Sequence, residues 1–450
     1  MSTHLIESMS KDGGDEGPSA VTGPVADNGW KSKFFTIWGG QCASLFGSQL
    51  VQFAIVWWLT METGSATVLA GAAAMAYAPQ IVLGPIAGTF VDRWHRRRVM
   101  IASDSLIAGA TVVLAALFAL GVVEVWHVLA VLAVRASGSA FHWPAMAAAT
   151  SMMVPEKHLS RVGGLNQAIV GLAGVVAPPM GAVAIAVLPM QGVLAIDVLT
   201  AVLAVSVLSV VRIPEPVRKD DAKGVRATFK DMRDGFRFIK TWPGAAQLIG
   251  LILLVNLFFA PADALTPILV TQRFAGGVVE FATLQSAVCV GIVAGGLLLA
   301  VWGGTKRRIV TALVALMLAG VGIAAVGLSP PTMFLAAVVA IFVAGFAVAI
   351  ANGSLNAVLQ ASIPKGMQGR VFSLLSSMSV SAAPIGLAFG GPLSDAFGAA
   401  VVFVLAGVVM AVGGGVALFM PSFMRVEDNI GAKDAKPAAS ETRSATAEDA

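Results

Sequence analysis

The stretch Gly84–Asp104, GPIAGTFVDRWHRRRVMIASD, breaks two long apolar runs with Asp92, Arg93, His95, Arg96, Arg97 and Arg98, six ionisable side chains within seven residues. A soluble core does not interrupt itself in this way. A chain that leaves hydrocarbon for a short water-facing turn does, because charge in the bilayer is costly and charge beside it is not. Composition agrees: of 450 residues, 57% are hydrophobic and 12% charged, with mean hydropathy +0.83. A water-soluble protein of this length needs more charge to cover its surface. The 48 glycines and single tyrosine also suit a helical membrane protein.

A helix needs roughly 20 apolar residues to cross about 30 Å of hydrocarbon. Working outward from the opening stretch, twelve such spans are expected, at 34–60, 66–91, 99–121, 125–153, 159–188, 190–211, 245–272, 281–304, 309–328, 332–360, 368–394 and 398–421. The expected organisation is a polar tail (1–33), a six-helix half (34–211), a charged linker (212–244), a second six-helix half (245–421) and a polar tail (422–450). Neither tail has the apolar content to fold alone, so both are expected to be disordered. The N-terminal tail lacks the basic start and apolar core of a cleaved signal peptide.

Twelve spans put both termini on one side of the membrane. Lys and Arg fall on that side in the tails, the 92–98 loop, Lys157, Arg161, the linker, Lys306–Arg308, Lys365 and Arg370; the opposite face has only Arg273. By the positive-inside rule the termini are cytoplasmic, in a multi-pass bacterial inner-membrane protein. The net charge of +4 is thus topological, and no nucleic-acid partner is expected. Cys42 and Cys289 lie in separate apolar runs and read as packing residues. With five scattered histidines, they give no basis for a metal site, a cofactor or a catalytic constellation. No ATP-binding G-x-x-x-x-G-K-[ST] loop and no H-E-x-x-H zinc motif occurs, so the chain does not read as an enzyme or an ATP-driven pump.

The two halves repeat one another. Phe141–Val162 aligns without gaps to Ile350–Val371, pairing Pro155 with Pro364 and Arg161 with Arg370. Further on, Pro178 pairs with Pro384 and Gly192 with Gly398, and HRRRV at 95–99 corresponds to TKRRI at 305–309. A duplicated six-helix unit is the architecture of secondary transporters that rock one half against the other.

Gly88, Asp92-Arg93 and Arg96-Arg97, between the second and third spans, resemble the cytoplasmic signature of the major facilitator superfamily. His95 departs from it, standing where the family has a second Gly, and the second-half copy has Trp302 in place of the Asp. The resemblance covers about 34–421 and implies an all-α fold of twelve transmembrane helices in two pseudo-symmetric halves. It also implies a conformational lock at Gly88, Asp92, Arg93, Arg96 and Arg97, with Asp92 set against the start of the eleventh helix near Gln368. A carboxylate favours a helix N-terminus, and Arg can pair across a gap. Loop charge that only sets topology is the alternative.

GVVAPPMGA in the fifth span, with Gly174, Pro178 and Gly181, resembles the antiporter signature of drug exporters, with Ala177 where that signature favours Gly. Ordinary helix packing explains the same residues equally well. The Gly84/Gly88, Gly291/Gly295 and Gly386/Gly390 pairs read as packing faces. Taken in order, the motifs resemble the macrolide-efflux branch of the drug:proton antiporters. Siderophore or metabolite exporters, an importer on the same fold and a non-transporting sensor remain alternatives.

Ionisable groups inside spans are functional candidates. Asp104, Arg135 and Asp263 are the candidates for proton coupling, Arg135 by resemblance to the family's fourth-helix arginine; Asp197 reads as a helix–helix tether. Arg135 heads a one-face stripe with Ser139, His142 and Met146, and a salt bridge to Asp104 is its structural alternative. Gln41, Ser44, Ser48 and Gln52 form a second stripe, Asn256 lies seven residues before Asp263, and Asn352 lies four before Asn356. The fold implied by the resemblance puts these four helices around a central cavity. Trp57, Trp58, Phe258 and Phe259 are expected either to contact substrate or to form a membrane-interface belt. The expected partners are the lipid bilayer, a small amphiphilic substrate and protons, and the chain is expected to work as a monomer.

Overall fold

A computed structural model describes residues 29–211, 213, 244–363 and 368–423. Their helices are α1 (Trp30–Thr63), α2 (Ala66–Arg93), α3 (Arg96–Leu120), α4 (Val125–Met153), α5 (Glu156–Val187), α6 (Met190–Val210), α7 (Ala245–Ala264), α8 (Thr266–Phe274), α9 (Val278–Trp302), α10 (Arg308–Leu328), α11 (Phe334–Ser362), α12 (Gln368–Phe397) and α13 (Ala399–Phe419). Eleven are long and apolar enough to cross a membrane. The 29-residue α4 falls short of that hydropathy because His127, Arg135 and His142 dilute it. The helix ends fall within four residues of the spans read from the sequence. Apart from residue 213 and Gly244, the linker expected at 212–244 lies outside the described residues, as do 1–28 and 424–450.

Two details differ from expectation. First, α1 starts at Trp30, inside the stretch read as tail; Trp30 is buried and stacks on His158 with ring centroids 5.4 Å apart. Second, the seventh span is two helices, α7 and α8, broken at Leu265. Pro267 has no N–H to give the Asp263 carbonyl, so a continuous ladder fails there. The Thr266 hydroxyl instead donates to Asp263 O at 2.8 Å. Such breaks persist in membrane proteins only where nearby groups satisfy the freed backbone.

Helix packing repeats the duplication. In the first half α1 packs on α5 and α6, α4 on α2 and α3, and α3 on α6. In the second half α7 packs on α12 and α13, α11 on α9 and α10, and α10 on α13. The halves meet through α2 against α12 and α5 against α9, a pair of contacts that the same pseudo-twofold exchanges.

The end carrying the start of α1, the α2–α3 turn and the end of α13 is called the basic end below; the other is the far end. At the far end one hydrophobic core runs through both halves, from Leu50, Leu59 and Leu194 to Leu265, Phe281 and Phe403. At the basic end there are two separate cores. One is built around Phe34, Met100 and Leu208, the other around Ile309, Val358 and Val371. The glycines tell the same story. Gly84 on α2 and Gly163 and Gly164 on α5, toward the basic end, have nothing within 4 Å of an added Cβ. Toward the far end a Cβ on Gly181 would sit 2.7 Å from the Phe53 ring, and one on Gly391 2.8 Å from Thr67 Cα. Among the described residues, the two halves are joined at the far end and parted at the basic end.

Candidate functional site

Each half contains a cavity built from equivalent helices. The first-half cavity, about 150 Å³, lies among α1, α3, α4 and α5 and is lined by Gln41, Ser44, Ser48, Asp104, Ser139, His142 and Met146. The second-half cavity, about 380 Å³, lies among α7, α10, α11 and α12 and is lined by Asn256, Asn352 and Asn356. The polar stripes on α1, α4 and α11 therefore become cavity walls. Gln52 lines neither cavity. The remaining surface of both cavities is mostly aliphatic, suited to an amphiphile held by a few polar contacts.

Three helices of the first half build two polar layers, each supplying a residue and its neighbour seven positions on. The layer nearer the basic end contains Gln41 of α1, Asp104 of α3 and His142 of α4. The deeper layer contains Ser48, Thr111 and Arg135 of the same helices, joined by Asp197 of α6. Seven residues span about 10 Å of helix, which sets the layer separation.

The deep layer is saturated. Asp197 is fully buried and accepts from Ser48 Oγ at 2.8 Å, from Thr111 Oγ1 at 3.0 Å and from Arg135 in a close ion pair. Arg135 also donates to Thr111. The partner of Arg135 is Asp197, not Asp104. Although it shares a helical face with Ser139 and His142, Arg135 does not line the cavity, because the far-end core closes over its level. Four helices are cross-linked here through one carboxylate.

The cavity layer is looser. Gln41 Nε2 donates to Asp104 Oδ2 at 3.1 Å. His142 Nδ1 stands 3.0 Å from Asp104 Oδ1, within ion-pair distance but out of line for a hydrogen bond. Asp104 is 5% exposed and touches the cavity wall. A carboxylate and an imidazole in contact at a cavity surface can exchange a proton with little rearrangement.

Asp263 does not join the stripe of Asn256. It faces a separate void of about 50 Å³, with Phe259, Thr266, Gln285, Ala344 and Phe403, next to the α7–α8 break. Its carboxylate makes no hydrogen bond or ion pair among the described residues, and Tyr77 of α2 and Cys289 of α9 lie within its electrostatic reach.

Of the lock residues, Gly88, Asp92 and Arg93 belong to α2, but their side-chain surroundings lie outside the described residues. Arg97 donates through Nε to Leu208 O at 2.5 Å and also to Ser209 O, capping the end of α6 within its own half. Gln368 donates to Gln360 O and Ile363 O, beside its own helix. Arg96 Nε is buried without a hydrogen-bond partner among the described residues.

The antiporter-like glycines line contacts made by α5. Gly174 faces Cys289 of α9 across the halves, Gly181 faces Phe53 of α1, and Ser286 Oγ of α9 donates to Val175 O at 2.9 Å. Pro178 is buried in α5 between them. Gly291 and Gly295 lie against the α11 backbone, and Gly386 and Gly390 against α7. Gly84 has no neighbour at its Cβ position among the described residues, and the surroundings of Gly88 lie outside them. Trp57 is neither belt nor cavity wall. It is buried, and with Phe53 it stacks on Phe281 of the other half at 5.9 and 4.6 Å. Trp58 meets Phe118 edge-on.

Sequence reasoning missed Trp38 and Asn166, bonded at 2.8 Å on the first cavity wall, and Ser376 and Ser379 on the second. The three-residue spacing of the serines on α12 was a readable signal. It also missed Asp395, which falls one residue past the span drawn to 394.

Comparison with known proteins fits this geometry. The chain is 34% identical over 384 residues to macrolide efflux protein A of Streptococcus pyogenes, covering 85% of this chain and 94% of that one. It is 30% identical over 393 residues to multidrug efflux pump Tap of Mycolicibacterium fortuitum, covering 85% and 94%. Among solved structures, the nucleoside transporter NupG superposes with TM-score 0.66 at 14% identity, covering 88% of this chain and all of that one. A bacterial homolog of the lysosomal transporter Spinster, described as inward-facing and unoccupied, gives 0.64 at 14% identity, covering 91% and 99%. Both likenesses establish the fold. The model of the Major Facilitator Superfamily matches residues 37–387, and the chain belongs to that family of transporters.

Proposed function

We propose that this chain is a secondary efflux transporter that exports amphiphilic, macrolide-like drugs in exchange for protons by alternating access. The observation that carries the coupling is the Asp104–His142–Gln41 layer, a titratable pair on the wall of a largely aliphatic cavity. The relatives named for macrolide and multidrug efflux support the cargo. Sidedness follows from the basic residues: the basic end is cytoplasmic, so the parted state is inward-facing.

In this reading a drug enters between the two cavity walls from the cytoplasm or inner leaflet. The Asp104 carboxylate holds Gln41 of α1 there. Once the cavity faces outward, a proton taken by Asp104, directly or through His142, weakens that hold and changes the charge at the wall, favouring release of the drug. Arg135 keeps the deep layer rigid through Asp197, so that α1, α3, α4 and α6 move together. Asp263, uncovered beside a helix break, is the second proton candidate. The lock at Asp92, Arg93, Arg96 and Arg97 would close the cytoplasmic side in the opposite state.

The test is accumulation of labelled erythromycin in drug-sensitive bacteria expressing the chain, with and without a proton uncoupler. Low accumulation that rises with the uncoupler is expected. Unchanged accumulation with the protein confirmed in the membrane would remove macrolides from the reading.

A further inference from the structure

At the far end the Asp395 carboxylate, near the end of α12, reaches across the halves to the start of α2. Oδ1 accepts from Ala66 N at 2.7 Å, and Oδ2 accepts from Thr67 N at 3.0 Å and Ser65 Oγ at 3.2 Å. These are first-turn amides of a helix, which have no intrahelical acceptor and carry the positive end of its dipole. One turn before the aspartate, Gly391 lets the backbones close: an added Cβ would lie 2.8 Å from Thr67 Cα and 2.9 Å from Ala70 Cβ.

We propose that Asp395 is the latch that holds the far, extracellular end closed. Four observations separate it from an ordinary tether. It joins the two halves, which the Arg135–Asp197 pair does not. It is exposed, so water can replace its partners when the halves part. It lies at the same end as the Phe53–Phe281–Trp57 stack that crosses the halves. And Gly391-x-x-x-Asp395 at the end of α12 has the spacing of Gly88-x-x-x-Asp92 at the end of α2. The two helices run antiparallel, so the C-terminal turn of each lies at the same end of the molecule as the N-terminus of the other. Docking at one end excludes docking at the other when the halves rock.

This latch rests on the alternating-access part of the proposed function and is independent of the cargo. Its test uses the full chain in lipid nanodiscs with Cys42→Ser and Cys289→Ser. One pair of spin labels marks the far end (Leu120→Cys, Leu335→Cys) and another the basic end (Trp94→Cys, Val301→Cys), all at exposed positions. Pulsed electron-spin distances are measured for the parent, for Asp395→Asn and for Gly391→Ala. Asp395→Asn should raise the ratio of open to closed far-end distances about tenfold, the weight of a lost charge-assisted hydrogen bond, and Gly391→Ala should raise it as well by holding the two backbones apart. The basic-end distance should shorten in step, which loss of a merely structural contact would not produce. Unchanged distributions in both variants, or far-end broadening with a fixed basic end, overturn the latch. A parent whose two ends never move in opposition at any pH or drug concentration overturns the rocking reading itself.

Discussion

The two halves solve one packing problem in two ways. Both build a cavity from equivalent helices, yet the first half lines it with Asp104 and His142 and the second with Asn256, Asn352, Asn356, Ser376 and Ser379. The deeper level diverges further. In the register of the duplication Arg135 corresponds to Ala344 and Asp197 to Phe403. Ala344 and Phe403 are each 2% exposed and border the same small void. Apolar side chains at these two positions are therefore compatible with the fold. The ion pair of the first half is not something the architecture demands, and buried ion pairs are seldom kept for stability. The second half has one carboxylate, Asp263, at the edge of that void but no ion pair, and an ion pair retained where the sister half has none supports a role in coupling.

The largest effect should come from breaking that asymmetry on one side. Arg135→Ala leaves Asp197 fully buried with no countercharge, and stability should fall by about 3–5 kcal/mol. Thermal unfolding in detergent, read by intrinsic tryptophan fluorescence, measures it. The double variant Arg135→Ala/Asp197→Phe copies the second half's side chains and should recover most of that loss. If the double variant also restores proton-driven efflux, the pair is only a tether and Arg135 leaves the coupling reading.

Neutralising the cavity layer should cost transport and spare the fold. In proteoliposomes with an imposed pH gradient, Asp104→Asn should reduce drug efflux to background. Drug binding should stay within about fivefold, the weight of one neutral hydrogen bond. His142→Gln, which can hydrogen-bond but not carry a proton's charge, should leave partial efflux. Full gradient-driven efflux in both Asp104→Asn and Asp263→Asn would remove the two carboxylates together.

Much of this was legible in the sequence because the bilayer imposes simple rules. Span length, the Lys and Arg asymmetry and the internal repeat gave twelve spans with ends close to the observed helices, and the stripes on α1, α4 and α11 fell on cavity walls. What escaped depended on distance between helices. Periodicity places Arg135 and His142 on one face of α4 but cannot say that the cavity ends between them, so Asp197 could not be chosen over Asp104 as partner. The break at Leu265 was written in Pro261 and Pro267, but apolar content masked it. Asp395 sat just past a drawn boundary, and its partners are backbone amides, which no side-chain pattern reveals.

The smallest predicted effect sharpens the division of labour. If the second half contributes shape and neutral hydrogen bonds, Asn352→Ala and Asn356→Ala should each raise the drug KM about fivefold, near 1 kcal/mol. Both amides lack a side-chain partner among the described residues, so their removal strands no buried group and stability should not move. Asn256 differs, since its amide already donates to Ile252 O at 2.9 Å, and Asn256→Ala should change KM less. The pH profile of efflux should be the parent's in all three variants. A profile displaced by Asn352→Ala or Asn356→Ala would mean that the second-half wall takes part in the proton step. Asp263, the acid beside the small void of that half, would then outrank Asp104 as the coupling site.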